Sequence, residues 1–327
     1  MRNPAGTKNV VVIGAGMGGL CAAIRLAAAG LSVTVVETQA GPGGKMRTLP
    51  SVMGPVDVGP TVLTMRGVFD DLFHAAGERL DDHLTLLPQP VLARHWWLDG
   101  SKLDLFTDPN ASAAAIATLA GPRAEAEFIH FNRLSTQLFK AFDGPMIRSG
   151  RPNLAGIALN TLARPAIWPA LAPKCTLARQ LARSFADPRL RQLFGRYATY
   201  VGGSPDLSPA VLALIWQAEA QGVWAVQGGM HQLARALADL ASRLGVTLRY
   251  GVTAQKIVRK SGQVAEVIVS EQRPLKCDAV VFNGDPAALL LDCSATARSR
   301  RWLRPRPIRA ACRPGSGPLP RPLRAPT

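Results

Sequence analysis

The stretch that decides the fold is Lys8–Leu20, which reads KNVVVIGAGMGGL near the start of the 327-residue chain. Its Val10–Ile13 run is short, apolar and β-branched, which is typical of a buried parallel strand. An Ala/Leu-rich helical pattern follows over Leu20–Ala29, and a second β-branched run, Leu31–Val36, comes after it. Glu37 follows this second run directly. The order strand, helix, strand predicts a βαβ unit that opens an α/β domain.

The turn between the first strand and the helix carries the spacing G-x-G-x-x-G at Gly14, Gly16 and Gly19. In such a turn the first glycine permits the bend, the second admits a pyrophosphate, and the third lets helix and strand pack closely. The helix N-terminus then directs its N–H groups at the phosphates. Glu37 lies 23 residues after Gly14, where a carboxylate can accept hydrogen bonds from ribose hydroxyls. The alternative is an ordinary glycine-rich turn, but the strand, helix and acid together predict an ADP-containing cofactor.

A second glycine-rich, basic loop, Gly41–Arg47 (GPGGKMR), follows Glu37 by a few residues. It could lie over the cofactor and bring Lys45 or Arg47 to the phosphates, although alone it would be read as a surface turn. NAD and FAD share the first motif. The combination with the second loop resembles the double-glycine FAD families of amine oxidases and carotenoid desaturases, and it therefore favours FAD.

Further along the chain, helical patterns dominate before strands return. Helices are predicted at 68–76, 111–119, 124–142, 177–185, 209–220 and 230–244, and strands at 247–250, 256–259, 264–269 and 279–282. The simplest architecture is a discontinuous Rossmann-type domain with a largely helical substrate- or membrane-facing insert. The predicted boundaries are 1–66 and 223–297 for the FAD-binding domain, 67–222 for the insert, and 298–327 for a tail.

The tail changes how the net charge of +16 should be interpreted. Residues 298–327 hold nine Arg, seven Pro and no acid, so the remaining chain carries only +7. A segment of this composition cannot form a core and is predicted to be disordered. It could be a genuine basic tail or the product of a frameshift or truncation. Without interleaved aromatic residues or a folded motif, it does not indicate nucleic-acid binding.

Composition excludes several classes of protein. A hydrophobic fraction of 47% is enough for a core, and five Cys without a C-x-x-C pair exclude a disulfide scaffold and a thiolate zinc cluster. The five His show no ligand spacing, so no metal is expected, and the G-x-S-x-G motif of hydrolases is absent. No uncharged apolar run reaches the length of a membrane span. We therefore expect a cytoplasmic protein that is soluble or peripheral on the inner or photosynthetic membrane.

One segment, Arg151–Leu177, is predicted to contact that membrane surface. It combines apolar residues, among them Ile167, Trp168 and Leu171, with flanking cations. Trp and cations beside an apolar stretch are typical of an interfacial segment. The alternative is a buried helix of the insert, against which its four Pro argue.

Several motifs identify the chain as resembling the bacterial-type FAD-dependent carotenoid (phytoene-type) desaturases. The matching stretches cover residues 8 to about 291 and are Asp57–Leu63, Tyr200–Pro205, Ala210–Leu212, Gly222–Trp224, Gly228–Met230, Leu233–Leu237 and Asn283–Pro286. Two further stretches, Arg196–Tyr200 and Trp216–Ala220, are most similar to the branch that desaturates hydroxy- or methoxyneurosporene at the 3,4 position.

This resemblance implies an oxidoreductase that uses FAD to introduce a C=C bond into an acyclic carotenoid at a membrane surface. Two alternatives stay open: a desaturase of phytoene itself, and a non-catalytic prenyl-lipid-binding protein of the same fold. Members of the family are longer and end in a glycine-rich segment that completes the flavin site. Nothing after Pro286 resembles that segment, which predicts a fragment whose own activity is in doubt.

The resemblance also implies roles for individual residues, which are set out from the ADP end of the cofactor to the flavin ring. The ADP moiety would be bound by Gly14, Gly16, Gly19 and Glu37, with Ala254 at the adenine. Gly44 and Lys45 would lie by the ribityl phosphate. Gly59, Pro60 and Thr61 would lie near the isoalloxazine ring. The catalytic base is not identified, and Asp206 and Glu219 are weak candidates.

Overall fold

The structure is a computed structural model that describes residues 8–271 and 273–291. The predicted disordered tail, 298–327, lies outside the described residues. The strands of the described part, numbered in chain order, are β1 (Asn9–Ile13), β2 (Ser32–Glu37), β3 (Thr48–Leu49), β4 (Val56–Asp57), β5 (Leu63–Thr64), β6 (Leu86–Pro88), β7 (Val91–Trp96), β8 (Lys102–Phe106), β9 (Val223–Val226), β10 (Thr247–Tyr250), β11 (Ala254–Lys260), β12 (Gln263–Val269), β13 (Leu275–Lys276) and β14 (Ala279–Phe282).

The α-helices of the same part are α1 (Met17–Ala28), α2 (Arg66–Ala75), α3 (Pro109–Ala120), α4 (Pro122–Phe142), α5 (Leu154–Leu162), α6 (Trp168–Leu171), α7 (Leu177–Ser184), α8 (Pro188–Gly195), α9 (Ile215–Ala220), α10 (His231–Arg243) and α11 (Pro286–Leu291). Short 3₁₀ turns connect several of them.

A four-stranded parallel sheet in the order β10-β2-β1-β14 forms the centre of the cofactor half. Its central strands come from the first forty residues and its outer strands from 247–282, so the sheet is discontinuous in sequence. This arrangement agrees with the predicted Rossmann-type class. The run Val10–Val12 is buried because both faces of β1 are covered, which explains its continuous apolar pattern. Val12 packs in the core that contains α1 and α10, and Val11 packs in a second cluster with residues of β12.

Helices α1 and α10 pack against each other beside this sheet. Leu20 and Ile24 of α1 and Leu233 and Leu237 of α10 are fully buried between them. Full burial of one such side chain contributes about 1.5–3 kcal/mol, so the contact between these two helices stabilises the cofactor half.

The helical half, residues 92–220, has a separate core that is rich in aromatic rings. Helix α2 lies outside it, because Leu72 and Phe73 pack in the core of the cofactor half. Phe194 lies at its centre, with ring centroids of five other aromatic side chains 4.6–6.3 Å away. These neighbours are Phe128, Phe131, Phe185, Tyr197 and Trp216. Aromatic pairs at such distances add about 0.5–1.5 kcal/mol each beyond the burial of their area.

The predicted helix over 209–220 begins later than its apolar pattern suggested. The Ala210 N–H donates to the carbonyl of Cys175 at 3.0 Å, and Pro209 forms a β-bridge with Thr176. These contacts hold the chain to a neighbouring segment, so a 3₁₀ turn over Ala210–Leu214 precedes α9. The domain boundaries at 66 and 222 stay a prediction.

Part of the predicted membrane-facing segment, Arg151–Leu177, belongs instead to the helical core, where Ile167, Ala170 and Leu177 are buried. Pro165 opens a 3₁₀ turn after α5, and this turn directs Ile167 inward. The large apolar side chains that are exposed here are Leu154, Leu159, Leu162 and Trp168. Over the part of the chain that the structure describes, no helix is both long and apolar enough to cross a membrane.

Candidate cofactor site

The first glycine turn joins β1 to α1 through backbone contacts. Gly14 has φ +101° and donates its N–H to the carbonyl of Val36 at 2.8 Å. Gly16 is the N-cap of α1 and offers no capping side chain, and the first turn of the helix carries no acid. A Cβ on Gly19 would collide with the carbonyl oxygen of Gly14. The N-terminus of α1 is therefore open to an anion, as a pyrophosphate requires.

The second glycine loop lies directly against the first. Gly43 donates its N–H to the carbonyl of Ala15 at 2.9 Å and forms a β-bridge with Gly16. Gly44 has φ +60°, and a Cβ built there would lie 3.2 Å from the Cα of Gly16. The positive φ and this close approach to the backbone of Gly16 both favour glycine at position 44.

Glu37, the last residue of β2, presents its carboxylate beside the first turn and is only 9% exposed. One carboxylate oxygen accepts the N–H of Ala15 at 2.7 Å, and the other accepts the N–H of Gln39 at 2.8 Å. An ionised carboxylate has about four acceptor positions, so roughly half remain for ribose hydroxyls. On the neighbouring strand β10, burial, together with the carboxylates of Asp239 and Glu37, raises the pKa of Tyr250.

A cavity of about 620 Å³ opens between Glu37 and the second loop. It is lined by Glu37, Gln39, Ala40, Gly41, Pro42, Gly44, Arg47, Thr48, Leu49 and His231. The predicted ribose acceptor and the predicted phosphate loop thus share one cavity wall. The open helix N-terminus, the spare acceptor positions of Glu37 and this cavity fit an ADP-containing cofactor.

The N-terminus of α10 is tied to this site by Asp57, whose role the sequence did not reveal. Its carboxylate accepts the N–H of Met230 at 2.7 Å and that of His231 at 3.3 Å. A Cβ on Gly229, where φ is +94°, would lie 2.7 Å from the same carboxylate, which accounts for the glycine pair that precedes the helix. No local signal in the sequence pairs Asp57 with this helix start, because the residues that it contacts lie 173 and 174 positions away.

The remaining predicted residues are distributed around the cavity rather than gathered in it. Lys45 is exposed, and among the described residues Arg47 is the cation that lines the cavity. Gly59 packs against the carbonyl of Lys45, whereas Pro60 and Thr61 are exposed between β4 and β5. The predicted roles of these three residues at the flavin ring stay a prediction.

Ala254, the predicted adenine contact, is the first residue of β11 and pairs with Val269. Two residues earlier, Val252 donates its N–H to the carbonyl of Glu37 at 2.9 Å. This bond brings the start of β11 close to the end of β2, but the role of Ala254 itself stays a prediction.

Asn283, which follows β14, also reaches the first glycine turn. A Cβ on Gly18 would lie 2.6 Å from its Oδ1, and Cβ atoms on Gly16 and Gly19 would lie 3.1 Å from its Nδ2. The start of the N-x-D-P motif therefore packs on the first glycine turn, although it lies about 265 residues further along the chain.

The two candidates for the catalytic base, Asp206 and Glu219, lie in the helical half. The carboxylate of Glu219 accepts hydrogen bonds from Tyr197 Oη at 2.9 Å, Tyr200 Oη at 2.8 Å and an Arg196 guanidinium nitrogen at 2.5 Å. Burial, then the hydrogen bond from Tyr200 to Glu219, raises the pKa of Tyr200 to about 12. These three donors occupy the carboxylate within the helical half, so the geometry argues against Glu219 as the catalytic base.

Asp206 lies in a surface turn, where its N–H donates to Ser204 Oγ and its carboxylate accepts from the same hydroxyl, both at 3.4 Å. This local pair gives no sign of a catalytic role either. Over the described residues, no group of three or more His, Cys, Asp or Glu side chains could hold a metal ion.

The class of the protein follows from the fold, this site and the matching family. The profile of the family described as flavin containing amine oxidoreductase matches residues 17–319. The chain belongs to this family, which confirms the predicted fold class and the predicted cofactor, FAD.

Solved structures share the fold at low sequence identity. An oxidoreductase from Methanosarcina mazei superposes with a TM-score of 0.61 at 18% identity, over 89% of this chain and 63% of that one. Wild-type putrescine oxidase bound to putrescine gives 0.58 at 16% identity, over 90% and 62%.

Relatives with higher sequence identity to this chain have names that specify a substrate. A hydroxyneurosporene desaturase from Cereibacter sphaeroides is 61% identical over 284 residues, which are 87% of this chain and 57% of that protein. One from Rubrivivax gelatinosus is 47% identical, over 88% and 55%. A phytoene dehydrogenase from Streptomyces griseus is 36% identical, over 92% and 58%. The chain thus spans between half and two thirds of the length of these relatives.

Proposed function

We propose that the protein is an FAD-dependent carotenoid desaturase that introduces a C=C bond into an acyclic, hydroxylated or methoxylated carotenoid such as hydroxyneurosporene. The observation that carries this proposal is the 61% identity to a hydroxyneurosporene desaturase across 87% of the chain. The phytoene dehydrogenase relative, at 36%, is much less similar.

Contacts within the helical half support the assignment to the hydroxyneurosporene branch. The two stretches whose sequence resembles that branch, 196–200 and 216–220, are joined through Glu219, which contacts Arg196, Tyr197 and Tyr200. Tyr197 and Glu219 are buried, whereas Tyr200 is 60% exposed. The branch-specific residues therefore form one connected unit that reaches the surface of the half in which we expect the substrate to bind.

The residues of the cofactor half bind and orient rather than perform chemistry. When bound, FAD supplies the oxidation, because it accepts a hydride from a C–H bond that no side chain could ionise alone. The N-terminus of α1 would hold its pyrophosphate, Glu37 its ribose, and the second glycine loop would cover its phosphates. The conjugated chain of the substrate spreads the developing positive charge, so few polar residues are needed around it.

We further propose that the protein reaches its water-insoluble substrate at a membrane surface. Four large apolar side chains of the segment 154–168 are exposed: Leu154, Leu159, Leu162 and Trp168. The neighbouring π-helical turn exposes Met146 and Ile147 in addition, and Arg148, Arg151 and Arg164 lie close by in sequence. An apolar patch beside cations suits an anionic lipid interface.

Liposome binding tests this surface. Replacement of Leu159, Leu162 and Trp168 by Ser should reduce binding to anionic vesicles without lowering the free energy of unfolding. The matched control replaces Val52, Met53 and Leu98, which are also highly exposed but lie outside the segment. Equal loss in both triple variants, or no binding by the parent, would refute the membrane surface.

Product analysis tests the reaction. Two forms of the protein are assayed. One is the chain alone, and the other is the chain extended by the part of the Cereibacter sphaeroides relative that lies outside the matched region. The extension is included because the match covers only 57% of that relative. Each form receives FAD with a 1-hydroxylated neurosporene or, in parallel, with phytoene. We expect a product that absorbs at longer wavelength from the hydroxylated substrate only. At least the extended form of the protein should make this product.

The other outcomes distinguish the alternatives. Conversion of phytoene alone would keep a carotenoid desaturase and overturn the substrate. Conversion of neither substrate, with FAD bound and the carotenoid retained, would favour the non-catalytic prenyl-lipid-binding protein. The Gly16→Val variant serves as the control, because a branched side chain at the pyrophosphate position should abolish conversion.

A further inference from the structure

A second cavity, of about 270 Å³, lies in the helical half and shares no lining residue with the cofactor cavity. Its lining residues fall in two segments of the chain, 170–176 and 207–211. Main-chain contacts join these two walls, because Thr176 forms a β-bridge with Pro209 and the Ala210 N–H donates across the same gap. Both walls are therefore fixed by the fold before any ligand binds.

The interior of this cavity is mostly apolar. Its lining includes Ala170, Leu171, Leu207, Pro209 and Val211. Leu207 is 74% exposed, so the apolar wall reaches the surface of the protein. Pockets that enclose a whole ligand measure about 300–1,000 Å³, so a cavity below this range suits one end of an apolar chain rather than a complete carotenoid.

Three cations stand at one side of the cavity. Lys174 is a lining residue, and the Arg179 guanidinium donates to its carbonyl oxygen at 3.0 Å. Arg183 Nη1 lies 3.9 Å from the Sγ of Cys175, which also lines the cavity. Among the described residues, none of these three cations forms an ion pair with a carboxylate. A guanidinium carries five N–H donors, so both arginines retain donors for an anion.

We propose that this cavity binds one acyl lipid with an anionic headgroup, whose apolar chain enters the cavity while Lys174, Arg179 and Arg183 hold the headgroup. The proposal rests on the proposed membrane surface and names a lipid for it, since helix α6 carries both Trp168 of that surface and Leu171 of the cavity. Unpaired cations favour an anionic lipid over a neutral one, and the apolar lining favours a lipid over a soluble anion.

Protection of the Cys175 thiol from iodoacetamide reports occupancy of the cavity. Dihexanoyl phosphatidylglycerol is kept below the concentration at which it forms micelles, and mass spectrometry gives the alkylation rate of Cys175 without and with lipid. We expect saturable protection, with about tenfold weaker affinity for dihexanoyl phosphatidylcholine and no protection by glycerol phosphate, which lacks an apolar chain. Cys21, whose pKa is raised to about 11 by burial, lies outside the cavity and should react slowly in every case.

Charge variants test the proposed headgroup contacts. Arg179→Gln combined with Arg183→Gln should lower the affinity for the phosphatidylglycerol about tenfold, to that for the phosphatidylcholine. Both arginines are exposed, so the folded structure should be unaffected. The matched control combines Arg133→Gln with Lys256→Gln, which removes two exposed cations away from the cavity and should behave as the wild type.

Four results would overturn the proposal: no protection of the wild type, equal affinity for the two lipids, protection by glycerol phosphate, or an unchanged affinity in the double arginine variant. The triple Ser variant of Leu159, Leu162 and Trp168 separates this site from the membrane surface, because none of the three lines the cavity. Lipid should still protect Cys175 in that variant, even where vesicle binding is lost. Vesicle binding by the wild type without protection of Cys175 would refute the lipid site and leave the membrane surface standing.

Discussion

The cofactor half and the helical half of this protein use different parts of the chain to hold their structure. Around the cofactor cavity, backbone meets backbone: Gly44 lies against Gly16, and Gly19 against Gly14. In the helical half, large aromatic side chains surround Phe194. At these glycine contacts the cofactor half should be sensitive to added atoms, whereas the aromatic core of the helical half should be sensitive to removed ones.

The largest expected effect concerns an added methyl group. Gly19→Ala would drive a Cβ into the carbonyl oxygen of Gly14, and helix α1 would have to move off the sheet. We expect a loss of about 4 kcal/mol in the free energy of unfolding, measured by urea denaturation. Gly41→Ala is the matched control, because its Cβ would meet nothing within 4 Å. Similar stability of both variants would contradict the close packing.

The next effect tests removal of atoms in the other half. Ile167→Ala should cost about 3 kcal/mol, since the side chain is fully buried and its loss leaves a cavity. Leu159→Ala, in the same segment but 68% exposed, should stay within about 0.5 kcal/mol of the parent. If the two costs were reversed, the assignment of core and surface in this segment would be wrong.

A smaller effect is expected from the polar cluster of the helical half. Glu219→Gln removes the charge that accepts from Arg196 and two tyrosines, and should cost about 2 kcal/mol on urea denaturation. Asp206→Asn, which alters an exposed turn, should have almost no effect. A neutral result for Glu219→Gln would mean that desolvation of the pair cancels its attraction.

The smallest effect is a change of stability with pH. Because the pKa of Tyr200 is raised to about 12 in the folded protein, the unfolded chain loses this proton first. The tyrosine therefore contributes stability that is present below about pH 10 and lost between about pH 10 and 12. Denaturation at about pH 9 and about pH 11 should show this loss, and Glu219→Gln should reduce it, because Glu219 is a main cause of the shift after burial. An equal slope in both proteins would contradict this origin.

The different construction of the halves also explains what the sequence could reveal. The parallel sheet, the first glycine turn and the position of Glu37 were predictable, because the glycine spacing and the acid after β2 can be read directly from the sequence. The helices α4 and α7 were predictable from apolar periodicity alone. These features depend on the types of residue that occur within one short segment of the chain.

Features that depend on tertiary contacts were not predictable. Ile167 has the same apolar character as the exposed residues near it, and only the turn at Pro165 directs it inward. Likewise, the contacts of Asp57 with the start of α10 join residues 173 and 174 positions apart. The sequence shows that Glu219 is an acid, but only the folded structure shows the three side chains that donate hydrogen bonds to it.

We propose that this chain holds FAD through the first glycine turn and Glu37, and FAD titration of wild type and Glu37→Gln tests this most directly. The isosteric change keeps the shape of the side chain and removes the charge that would accept ribose hydroxyls. We predict saturable binding by the wild type, affinity lower by about tenfold to a hundredfold in Glu37→Gln, and no change in the Asp206→Asn control. Equal affinity of wild type and Glu37→Gln, with both folded, would contradict the account.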